Sequence, residues 1–149
     1  ADDATASSSD DTATGRRQAA TARASVPTAE AKQWAWDEIF HNNDLPNAML
    51  EATIAGFADR DHRDLTDAYL DRYFDALPGV WAERTMEIAQ SITMGLFPMY
   101  SVEDPTIDRA DRFLASDPSP ALARLVAEGR DGLLRARRAR ARDADSAAN

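Results

Sequence analysis

The chain contains no cysteine, one lysine and two histidines among its 149 residues. Without cysteine there is no disulfide framework, no thiolate metal site and no cysteine nucleophile, and the composition fits a reducing cytoplasm. His41 closes an apolar helical stretch behind Phe40, and His62 sits in an Asp-Arg-Asp-His-Arg turn. Neither has a partner at zinc spacing, because HExxH needs two histidines four apart on one helix with a glutamate between them. A surface or capping role is the reading for both. The six glycines are scattered and build no phosphate-cradling loop. No GxSxG elbow surrounds Ser91 or Ser101. No apolar run approaches the roughly 20 residues of a membrane span, and no signal-peptide pattern opens the chain, so no membrane partner is expected. Positive charge is short as well: 17 Lys and Arg against 26 Asp and Glu leave a net charge of −9. An acidic surface repels phosphates, so nucleic acid is not the expected partner. The Arg-dense stretch 130–142 is a local exception. No catalytic residue, metal ligand or cofactor is assigned to this chain.

What the sequence has in abundance is helical periodicity; no stretch alternates with strand period over a useful length. The pattern predicts an all-α fold, an irregular α-solenoid of the HEAT or armadillo sort with about six or seven antiparallel helices joined by short turns. Residues 1–10 (ADDATASSSD) have no apolar periodicity and read as a disordered acidic linker, and 143–149 as a disordered tail. The helical domain spans 11–142. With no initiator Met, a fragment of a longer protein is expected. A first helix is expected from about Asp11 to Ala24, and a second from Thr28, its cap, to about His41, with Trp34, Ile39 and Phe40 inward and Trp36 partly on another face. A third begins near Pro46 and a fourth covers about Arg63 to Leu77. Pro78-Gly79 then turns the chain into a central helix running to Pro98, with Trp81, Thr85, Ile88, Ile92 and Leu96 on one stripe. Asp104-Pro105 opens a short helix, and the last runs from about Ser119 to Arg140.

Carboxylates such as Asp59, Asp61, Asp64 and Asp67 read as a solvated charged face rather than a catalytic pair. Glu83, Arg84 and Glu87 stand out because they share the central helix, on the side away from Ile88 and Ile92. A solvent face explains them; the alternative is the lining of an inner chamber.

Four segments in order carry a resemblance: TATGRRQAATARASVPTAEAK with Trp36, LPNAMLEATIAGF, YFDALPGVWAERTMEIAQSITMGLFPMY, and the LVAEGRDGLLRARRAR ending. Together they resemble the C-terminal helical domain of actinobacterial aminopeptidase N, of the single-zinc aminopeptidase family. The resemblance implies a parent enzyme that removes N-terminal amino acids from peptides. Its zinc is held by HExxH and a distant Glu, and a GxMEN-type loop grips the substrate amine. None of those motifs occurs here, so no zinc ligand or general base is carried over and zinc belongs to the parent. What the resemblance leaves to this chain is the C-terminal domain's role of packing on the catalytic domain of the same polypeptide. There it walls off the chamber and limits access to peptide substrates, with Glu83, Arg84 and Glu87 as candidate lining. An independent solenoid adaptor binding a protein partner is the competing reading, and a nucleic-acid binder using the Arg-rich final helix comes third.

Overall fold

The structure is a computed structural model describing the backbone of residues 2–148 and the side chains of 11–148. It is all-α, as the periodicity predicts, with no strand among the described residues. Among the described residues are seven helices of ten residues or more, with a one-turn helix and a 3-10 turn between the third and fourth of them. Two compact units divide the chain, Ala1–Thr66 and Asp67–Asn149.

The first unit contains α1 (Asp2–Ser25), α2 (Ala29–His41), α3 (Asn47–Phe57) and the single turn α4 (Arg63–Thr66). The backbone of α1 begins well before the expected Asp11. The side chains that defined the 1–10 linker reading lie outside the described residues. In α1 the buried positions Ala20 and Ala24 are small, so a neighbouring backbone can come close. That neighbour is α3: the Thr21 hydroxyl donates to the Ala52 carbonyl at 2.9 Å. A Cβ on Gly56 would run into the Thr21 carbonyl and stand 2.7 Å from the Ala24 Cβ. Thr28 caps α2 as expected, its side-chain oxygen accepting from the Ala31 N–H at 3.2 Å. The buried stripe of α2 is Lys32, Ala35, Trp36 and Ile39. This corrects the expected face: Trp36 is buried and stacks on Phe40 at 4.1 Å, while Trp34 is only half-buried. The stripe was disguised because one of its members is a lysine.

The second unit opens with a 3-10 turn (Asp67–Tyr69), followed by α5 (Leu70–Glu83), α6 (Met86–Gly95), α7 (Asp104–Ala115) and α8 (Pro120–Ala147). The expected central helix from Pro78 to Pro98 is not formed. Pro78 lies inside α5. Proline in a helix interior removes a hydrogen bond and costs about 3 kcal/mol. That cost is offset by a buried stripe, Tyr73, Phe74, Leu77 and Val80, which runs straight through the proline. The chain breaks instead at Arg84-Thr85, where Thr85 is extended (φ −63°, ψ 155°) and its side chain accepts from the Ile88 N–H. A threonine N-cap satisfies an otherwise orphan amide, and here it starts a new helix. The expected fourth helix is likewise interrupted, by the 3-10 turn. Helix α8 runs on past Arg140 to Ala147.

Thr93 ties α5 to α6. Its hydroxyl donates to the Ala89 carbonyl at 2.7 Å and accepts from the Trp81 indole N–H at 2.8 Å. The Tyr73 hydroxyl donates to the Thr93 carbonyl at 2.6 Å, and burial pushes that phenol's pKa up, so it stays a neutral donor. Thr93→Val keeps the shape but removes the acceptor for Trp81, and an expected loss of about 1–2 kcal/mol follows from one unmet polar group. Urea unfolding checks it; an unchanged midpoint means water replaces the hydroxyl.

Arginine side chains join the later helices. Arg109 on α7 donates to Asp71 at 3.0 Å and Asp75 at 2.8 Å, and its guanidinium lies 5.0 Å from the Phe74 ring centre. Arg130 and Arg137 on α8 pair with Asp111 and Asp104 on α7. Part of the Arg-dense end is thus spoken for by helix packing. No helix among the described residues is long and apolar enough to cross a membrane.

Candidate functional site

Lys32, the only lysine, is fully buried in the first unit. Its ammonium donates to the Ala24 carbonyl at 2.8 Å, the Gly56 carbonyl at 3.2 Å and the Phe57 carbonyl at 3.1 Å. Three donors meet three acceptors, which is the full capacity of an ammonium. The acceptors lie at the C-terminal ends of α1 and α3, where unpaired carbonyls and the helix dipole both favour a cation. Burial holds the Lys32 pKa below the usual lysine value, and the Asp59 carboxylate opposes that shift.

Asp59 accepts from the Asp61 N–H at 2.9 Å and lies 2.7 Å from Nδ1 of His62. Burial raises its pKa, but the Asp61 hydrogen bond, the bond and charge of His62, and the Lys32 cation together hold it below the usual carboxylate value. A carboxyl with a depressed folded pKa adds stability that is complete above its unfolded value of 3.8 and fades as pH falls through the folded one. Removing the carboxylate with Asp59→Asn is therefore expected to flatten the stability profile between about pH 4 and more acidic values. Denaturant midpoints at stepped pH check this; parallel profiles for both proteins would refute it.

On another side of the same unit, α1, α2 and α3 enclose an open groove of about 260 Å³. Arg16 and Arg23 come from α1, Trp34 and Glu38 from α2, and Met49 from α3, with Leu45 between the last two helices. The Arg23 guanidinium carbon sits 3.9 Å from the Trp34 ring centre, a cation–π contact. Glu38 accepts from the Asn42 amide at 3.1 Å. The sequence reading did not single out this groove. Its lining comes from three helices, and the only signals were the seven-residue spacing of Arg16 and Arg23 and the four-residue spacing of Trp34 and Glu38.

The residues that were singled out, Glu83, Arg84 and Glu87, are not on one helix. Glu83 ends α5, Arg84 caps it through an N–H bond to the Val80 carbonyl at 2.9 Å, and Glu87 lies in the first turn of α6. Both glutamates are exposed and Arg84 is half-buried. Among the described residues no group of three His, Cys, Asp or Glu is placed to hold a metal ion. The donor set here does not fit zinc.

Residues 3–135 match the profile of the ERAP1-like C-terminal domain. The chain belongs to the ERAP1-like C-terminal domain family. The described helices place the family's sequence pattern on an all-α backbone. The chain is also similar to the aminopeptidase N of Streptomyces lividans, 52% identical over 139 residues, covering 93% of this chain and 16% of the relative. The chain thus spans about one sixth of the length of the curated relative it matches.

Proposed function

We propose that this chain is the non-catalytic C-terminal domain of an aminopeptidase N, a zinc enzyme that removes N-terminal amino acids from peptides. The observation that carries this is the 52% identity sustained over 93% of the chain, to a relative about six times longer. On this reading the zinc ligands and the amine-binding loop lie in a catalytic domain of the same polypeptide. This domain packs on that one, walls off the chamber and controls which peptides reach it, in a cytoplasmic enzyme. The exposed Glu83 and Glu87 would present negative charge to cationic peptide termini, a field effect that raises local substrate concentration.

An antibody against this chain, used on extracts of its source cells, tests the reading. The expected antigen is a polypeptide several times longer than 16.3 kDa that contains zinc and hydrolyses aminoacyl-arylamides. A free species of that smaller mass, inactive and bound to another protein, would overturn the reading in favour of an adaptor. The chamber role has its own test in the parent enzyme. Glu83→Gln with Glu87→Gln should raise KM for peptides and aminoacyl-arylamides alike, since both carry a cationic N-terminus, while leaving kcat in place; an unchanged KM would remove these residues from the chamber.

A further inference from the structure

The groove between α1, α2 and α3 has a cationic wall, an acidic group and an apolar floor within one small volume. Arg16 and Arg23 are seven residues apart on α1, so they share a face; Trp34 and Glu38 are four apart on α2 and share another. Leu45 and Met49 supply the apolar floor. The Arg23 guanidinium carbon lies 3.9 Å from the Trp34 ring centre, so the indole holds the cation at the groove. Among the described residues neither Arg16 nor Arg23 has an ion-pair partner. A planar guanidinium without an ion-pair partner is suited to hold a carboxylate by paired hydrogen bonds. Glu38 spends one carboxylate oxygen on Asn42 and keeps the other available for a cation.

Size narrows the occupant. The groove's 260 Å³ falls below the roughly 300–1,000 Å³ of pockets that take drug-sized ligands. It equals the space of about nine waters at roughly 30 Å³ each. An internal stretch of polypeptide would bring neutral amides and leave Glu38 without a cation. A small molecule with one carboxylate, one ammonium and an apolar side chain meets all three features at once.

We propose that this groove binds a free apolar α-amino acid as its zwitterion, the carboxylate on Arg23 and Arg16, the ammonium on Glu38 and the side chain over Leu45 and Met49. The binding rests on the groove alone. Its meaning, recognition of the amino acids that the parent enzyme releases, rests on the aminopeptidase reading.

The test is a titration of the isotope-labelled full chain with L-leucine, followed by NMR. Signals of the Trp34 indole N–H, the Arg23 side chain and Met49 are expected to move together. N-acetyl-L-leucine lacks the ammonium and L-leucinamide lacks the carboxylate, and each should bind about tenfold more weakly or worse, the effect of losing one charge-assisted contact. Arg23→Gln and Glu38→Gln should weaken leucine to the same degree, with thermal midpoints recorded to confirm that each variant folds. If leucine leaves the Trp34 indole signal in place, or if all three ligands bind alike, the site is overturned. Either outcome leaves the parent's peptidase activity, and hence the reading above, standing or falling on its own assay.

Discussion

Lys32→Met is expected to destabilise the first unit by about 3–5 kcal/mol, the range for stranding buried polar partners. Two effects oppose each other. Methionine avoids the cost of burying an ammonium, a cost visible in the lowered Lys32 pKa. Against that, the carbonyls of Ala24, Gly56 and Phe57 lose their shared donor together. Each buried acceptor left unmet costs about 1–3 kcal/mol, and the substitution removes none of them. The stranded carbonyls therefore decide the sign. Lys32→Arg should not rescue, because a planar guanidinium cannot turn three donors toward carbonyls converging from two helix ends. Guanidinium unfolding gives the global value, and hydrogen exchange of the α1 and α3 amides locates it. A loss below about 1 kcal/mol would mean that water reaches those carbonyls and the lysine is dispensable.

Gly56→Ala has the second largest expected effect. Alanine is the better helix former by about 1 kcal/mol, so on propensity alone the change is favourable. The added Cβ would nevertheless collide with the Thr21 carbonyl and lie 2.7 Å from the Ala24 Cβ. Neither is the far end of a flexible side chain, so α1 and α3 must separate. Overpacking costs about 1–3 kcal/mol. Here it also stretches the Thr21 bond to Ala52 and moves one of the Lys32 acceptors. A net loss near the upper end of that range is expected. Gly15→Ala is the control: nothing lies within 4 Å of its added Cβ, so propensity acts alone and stability should rise. A double variant at Lys32 and Gly56 should lose less than the sum, because both changes open the same seam. If Gly56→Ala were as stable as Gly15→Ala, the close approach of the two helices would be refuted.

The all-α class was legible because helical periodicity is carried by apolar residues that stand out from their neighbours. The fourth helix was expected to end at Leu77 because Pro78 is a strong local stop signal, whereas the buried stripe Tyr73, Phe74, Leu77 and Val80 carries it on to Glu83. Burial overrode the proline, and the true break at Thr85 carried only a capping threonine among the charged residues Glu83, Arg84 and Glu87. Lys32 was illegible for a different reason. Its burial depends on carbonyls from α1 and α3, which come together only in three dimensions. The same holds for the groove, whose charges are ordinary surface residues until α1 and α2 bring them together. The reading of Glu83, Arg84 and Glu87 as one helix face failed along with the helix that was to carry them.

Placing the chain's single lysine at full burial has a practical consequence for its chemistry. Amine-directed reagents, whether acylating probes, cross-linkers or cyanate from aged urea, find no lysine side chain to attack while the first unit is closed. Reaction at Lys32 requires that α1 and α3 first release it. The rate at which this one amine is acylated therefore reads out opening of the helix seam directly, residue-specifically and without denaturant, in the isolated chain or within a longer polypeptide.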